Sequence, residues 1–335
     1  MSSVKTKAAV TLVIKIVALT SALLIIQAVA SQVAGLNASS QQVDPAIAGQ
    51  YALLTSFLFT LVLSYPIIRS KWSGWKLVLT ITILIYGVMT FLSQIETVVF
   101  LKYLVDIVDP EMIPKLFVQG AIVAVLFSPL AVWVHGKMRR GKHHGLQDDP
   151  QNDPKNDFQE SCNTLTMPFS QWVWKLALLA IIYILVYISF GRFVFIPLAG
   201  DAFEEFYTGL EMPPWILLLQ AARALIWVAL AVPVIRMMKG PRWEAGLAVA
   251  LLFSALMGAL LLIPQDIMPD KIRLARFAEV ALSNFLFGWI VVFVLNYQRP
   301  LKGRSHPLSH GQSESSLGTS RSPCRYPNMS NHHDI

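Results

Sequence analysis

Eight apolar runs, near residues 8–30, 50–68, 76–99, 113–135, 171–197, 213–236, 243–264 and 274–297, dominate the chain. A bilayer core about 30 Å thick takes roughly 20 helical residues to cross, and each run reaches that length. Backbone polar groups must be satisfied internally in lipid, so such runs can only be helices. The sequence therefore predicts an all-α polytopic membrane protein with eight transmembrane helices, in agreement with 55% hydrophobic and 14% charged residues.

Connections between the runs alternate in charge. MSSVKTK, RSKWSGWK, HGKMRRGK, RMMKGPRWE and NYQRPLKGR are basic, whereas SQVAGLNASSQQVDPAIAG, VDIVDPEMIP, GDAFEEFYTGLEMPP and PQDIMPD are neutral or acidic. The positive-inside rule then places both termini in the cytoplasm and the protein in the plasma (inner) membrane. The net charge of +7 reads as topology, with the bilayer as partner and no nucleic acid. Ala28-Val29-Ala30 before Ser31 has the form of a signal-peptidase site, but the apolar stretch is long for a signal and Lys15 interrupts it. It is read as a first transmembrane helix. Asn37-Ala38-Ser39 is a glycosylation sequon in an external loop, meaningful only in an organism that glycosylates.

The chain writes one helix ending twice. LSYPIIRSKWSGW (63–75) and LAVPVIRMMKGPRW (230–243) share a proline before an apolar-Arg pair, then a basic turn and a tryptophan. Weaker matches align Gly87 with Gly258 and Gln94 with Gln265, which suggests two tandem units in the same orientation. The competing explanation is that transmembrane helices share Leu, Val, Ala and terminal Trp, so matches arise cheaply. The expected organisation is a four-helix unit over 1–136, a flexible cytoplasmic linker over 137–169, a second four-helix unit over 170–298 and a disordered cytoplasmic tail over 299–335. Linker and tail are polar and cannot bury enough surface to offset ordering.

Ionisable groups inside spans are costly and tend to face the bundle interior. Lys15 and Lys175 lie near the cytoplasmic ends of their helices and can snorkel. Arg223, about nine residues into the sixth run, falls near the midplane and calls for an anionic partner, with Glu96 or Glu279 as candidates. Gln94, Gln119, Gln220, Gln265, Ser283 and Asn284 lie on the same side, and Gln220 shares a helix face with Arg223. Arg223, Glu96, Glu279, Gln220, Gln94 and Asn284 thus form a candidate substrate-binding set lining a polar cavity between the units. The alternative is structural: Glu279 pairs with Arg276 at i to i+3, and the glutamines bridge helices.

Several chemistries are excluded. All seven histidines lie at or outside the predicted helix ends, leaving no bis-His arrangement for an intramembrane haem, and HExxH, GxSxG and GxxxxGK[ST] are all absent. Cys162 and Cys324 form no CxxC, and the adjacent histidine pairs His143-His144 and His332-His333 lack convergent geometry. No cofactor and no metal are expected. The leading expectation is a transporter or channel for a small, anionic solute. The alternatives are a membrane enzyme acting on a lipid-linked or amphipathic substrate with Glu96 or Glu279 as acid or base, and an accessory subunit of a membrane complex. The expected ligand is a small molecule or a lipid.

Overall fold

The computed structural model describes residues 2–36, 44–99, 110–138, 165, 167–208, 213–264 and 268–297. Among them eight helices are long and apolar enough to cross a membrane. Their α-helical portions are α1 (Ser2–Val33), α2 (Pro45–Arg69), α3 (Gly74–Ile85), α4 (Met112–Val134), α5 (Phe169–Phe190), α6 (Ile216–Met237), α7 (Arg242–Gly258) and α8 (Asp270–Asn296). Three of them change pitch near one end. α3 continues through a π-helical segment, Tyr86–Leu92, into Ser93–Val99; α5 through another, Gly191–Phe195, into Ile196–Ala199; α7 ends in a 3₁₀ turn, Ala259–Leu262. The chain is an all-α polytopic membrane protein.

Local chemistry sets the boundaries. Asp44 caps α2 by accepting from the Ala46 amide at 2.8 Å, and Pro45 occupies the first turn, where its missing N–H costs nothing. Pro66 and Pro233 lie inside α2 and α6, one turn before each helix stops. The turns that follow contain Gly74 at φ +62° and Gly240 at φ +93°, left-handed conformations in which a side chain would be strained.

Burial separates a centre from a periphery. Half or more of the most apolar stretch is buried in α2, α3, α6 and α7, against 22% in α1 and α5. In the first half α1 packs on α2 and α4, and α3 packs on α4. In the second half α5 packs on α6 and α8, and α7 packs on α8. Across the middle, α2 meets α7 and α6 meets α3. Small residues permit the closest of these approaches: a Cβ placed on Gly288 of α8 would lie 2.6 Å from the Ala250 Cα of α7.

The two echoing segments meet at the basic ends of α2 and α6. Ser70 and Met238 form an antiparallel bridge; the Lys71 amide donates to the Met237 carbonyl at 2.8 Å and the Lys239 amide to the Arg69 carbonyl at 2.9 Å. Arg69 Nε donates to Glu244 Oε2 at 2.8 Å, linking the end of α2 to the start of α7. Lys137, just past α4, donates from Nζ to the Ser70 carbonyl at 2.9 Å. One seam thus joins the α2–α3 turn, the α6–α7 turn and the end of α4.

Candidate functional site

Arg223 lies seven residues after the first residue of α6, about 10 Å along the helix axis at 1.5 Å per residue. α6 begins later than hydropathy suggests, so Arg223 sits nearer the end opposite the basic turns than the midplane position expected from sequence. It is 4% exposed. Its Nη1 donates to Gln220 Oε1 at 3.2 Å, one turn back on the same helix, and Gln220 itself is fully buried. Its Nη2 reaches across to the Leu92 carbonyl of α3 at 3.4 Å. Leu92 is the last residue of the π segment, where the widened turn alters the helical hydrogen-bond ladder. A charged donor and a backbone acceptor therefore join the two halves.

Glu279 and Asn284 lie on α8, buried to 4% and 6% exposure. The Glu279 carboxylate accepts from Arg276 Nη1 at 2.7 Å on its own helix, and the Arg276 guanidinium sits 4.7 Å from the Phe195 ring centre. Among the described ion pairs the acid is held by Arg276 and not by Arg223. A Cβ placed on Gly191, first residue of the α5 π segment, would lie 4.0 Å from Glu279 Oε1. Each π segment therefore adjoins a buried charged residue, Arg223 in one case and Glu279 in the other. Asn284 donates from Nδ2 to the Val280 carbonyl at 2.9 Å, a bond within its own helix.

Gln94 is half-buried in the continuation of α3. The Glu96 side chain and Gln265 lie outside the described residues. Gln119 bridges helices, donating to Ser31 Oγ of α1 at 2.7 Å. Ser56 does likewise, donating to Gln27 Oε1 at 3.2 Å.

Three side chains acquire roles that hydropathy did not reveal. Lys175 does not snorkel: its side chain is buried and donates to the Leu295 and Tyr297 carbonyls, both at 2.8 Å, capping the end of α8. Arg273, 2% exposed, donates to the Leu261 and Leu262 carbonyls at 2.9 and 2.6 Å and pairs with Asp270 at 2.7 Å. Thr55 of α2 donates to the Ala259 carbonyl at 3.0 Å, in the 3₁₀ end of α7. Each target is a carbonyl at an irregular or terminal turn, a feature of backbone geometry that composition does not encode.

A separate groove of about 380 Å³ opens between α1 and α2, lined by Val17, Thr20, Ser21, Gln50, Leu53, Leu54 and Phe57. Neither Arg223 nor Glu279 lines it. Among the described residues no group of three or more His, Cys, Asp or Glu is placed to hold a metal ion. Comparison of the chain with protein-family models, curated proteins and solved structures returns no match.

Proposed function

We propose that this integral membrane protein transports a small anionic solute, with Arg223 as the group that recognises it. The observation that carries the reading is the burial of a guanidinium where the two halves meet, tied to a backbone carbonyl and an amide oxygen. Removing such a charge from water costs several kcal/mol, a cost that a recognition role would justify. A carboxylate or phosphate ligand would replace the long 3.4 Å contact with a charge-assisted, bidentate one.

Two tandem four-helix units with the basic turns facing the cytoplasm give the motion. Corresponding packing within each half, and the reciprocal α2–α7 and α6–α3 crossings between them, support units related by an axis along the membrane normal. Rocking at those crossings would open Arg223 to one side and then to the other. The enzyme reading would use Glu96 or Glu279, and the Glu279 carboxylate is engaged by Arg276.

The test is native mass spectrometry of wild type and Arg223→Leu released from mild detergent, followed by uptake of the identified anion into proteoliposomes. A small anion retained by wild type, lost from a folded variant and taken up only by wild type is the expected result. Retention of the same anion by the variant, or equal uptake by both, overturns the assignment.

A further inference from the structure

The seam at the basic turns carries more positive charge than its own side chains balance. The backbone bridge between Ser70 and Met238 sets Lys71 and Lys239 beside it, one from each half. Glu244, the acid of this seam, is engaged by Arg69. Among the described residues neither Lys71 nor Lys239 pairs with a carboxylate. The Lys137 ammonium is bonded to the Ser70 carbonyl. Its pKa is held below the usual lysine value, first by burial and then by the charge of Lys239. Three lysines thus meet at one short stretch of backbone, two set there by the bridge and one by its bond to the Ser70 carbonyl.

Aromatic residues place this stretch at a defined depth. Trp75 and Trp243, in the first turns of α3 and α7, are 69% and 57% exposed, and Lys76 Nζ stands 3.9 Å from the Trp72 ring centre. Exposed tryptophans at helix ends occupy the headgroup level of a bilayer, with their rings among the upper acyl carbons. Anything bound between Lys71 and Lys239 is therefore flanked by lipid.

We propose that the seam binds the phosphate of an anionic phospholipid headgroup, seated between Lys71 and Lys239 with Lys137 beside it. A phosphodiester offers Lys71 and Lys239 the anionic acceptor that Glu244, engaged by Arg69, does not supply, and its acyl chains can descend past Trp75 and Trp243. A zwitterionic lipid brings its own cation into the cluster and binds less well. Because the two lysines come from different halves, the headgroup ties the halves together at the end opposite Arg223. This site does not depend on the transport reading.

The experiment places full-length protein in phosphatidylcholine nanodiscs containing a minority of phosphatidylglycerol and counts the lipids retained in native mass spectra. Wild type is compared with a Lys71→Gln/Lys239→Gln double variant and with a Lys115→Gln/Lys271→Gln control at the opposite end. A lysine near an anionic surface contributes about 1 kcal/mol, so losing two lowers the phosphatidylglycerol preference on the order of 30-fold. The control keeps it, and all three proteins share one melting temperature in pure phosphatidylcholine. Equal preference in wild type and the seam variant overturns the proposal. So does displacement of the lipid by millimolar inorganic phosphate, which would make the seam a free-anion site.

Discussion

The α2–α7 and α6–α3 crossings perform the same task with different chemistry. In each, a side chain from the helix that precedes a basic turn donates to a carbonyl in the irregular end of a helix from the other half. Thr55 serves the Ala259 carbonyl, and Arg223 serves the Leu92 carbonyl. The positions correspond closely: Ser56, next to Thr55, precedes Pro66 by the same interval as Arg223 precedes Pro233. A neutral hydroxyl suffices at the first crossing. A guanidinium serves the second, and it brings to that crossing a positive charge that the hydroxyl does not.

Exchanging the two chemistries is the strongest test of this contrast. Arg223→Thr installs at the second crossing what the first already uses. The expected outcome is a folded protein whose anion uptake falls at least a hundredfold, with Thr55→Val keeping wild-type uptake and losing roughly 1 kcal/mol of stability. Uptake that survives Arg223→Thr would reduce the guanidinium to packing. The next largest effect concerns the glycines that let helices approach. A Cβ on Gly288 would press on the Ala250 backbone, and one on Gly120 of α4 would lie 2.8 Å from the Thr90 Cβ, which side-chain rotation does not move. Gly288→Val is expected to cost about 3 kcal/mol. Gly120→Val should cost a comparable amount, as read from thermal unfolding in detergent, and a much smaller loss would show that α3 and α4 can separate where α7 and α8 cannot.

What was legible in the sequence divides along the same line. The eight spans follow from run length, and Arg223 is conspicuous as a guanidinium inside an apolar run. Its pairing with Gln220 and that of Arg276 with Glu279 follow from helical spacing. The partners across helices were not legible. The Leu92 and Ala259 carbonyls are available because α3 and α7 depart from α-helical pitch, and nothing in YGVMTFL or ALLL announces a π segment or a 3₁₀ turn. Lys175 shows the limit most directly. Near a cytoplasmic end a lysine has two ways to satisfy its ammonium, reaching water or reaching a neighbouring helix end, and the choice depends on where α8 stops.

That choice yields the third prediction. Lys175→Met keeps the aliphatic stem but leaves the Leu295 and Tyr297 carbonyls without their charged donor. A cost of about 2 kcal/mol is expected, since hydrogen bonds to charged groups are worth about 1.5–3. Lys137→Met removes a comparable bond to the Ser70 carbonyl, but from a less buried group that also relieves repulsion with Lys239. A cost below about 1 kcal/mol is expected there. Equal losses in chemical denaturation would show that the two caps are energetically alike despite their different burial.

A further small effect, read from pH, is confined to the first half. His135, just beyond α4, places Nε2 3.0 Å from Ser64 Oγ of α2, and Ser64 donates onward to the Thr60 carbonyl at 2.6 Å. Burial, and next the charge of Lys15 on α1, lower its pKa from 6.5 to about 4. Across from it α2 presents the uncharged Ser64. Because the folded value is depressed, the unfolded chain takes up the proton first as pH falls. Stability is therefore full above about pH 6.5, declines between 6.5 and 4, and levels below that. The group is only partly buried, so the loss after solvent screening is on the order of 1 kcal/mol. His135→Gln should flatten this segment of the stability profile and leave the remainder unchanged. An unaltered decline in that variant would assign the acid sensitivity to carboxylates, and with it to the half of the molecule that carries its charges in pairs.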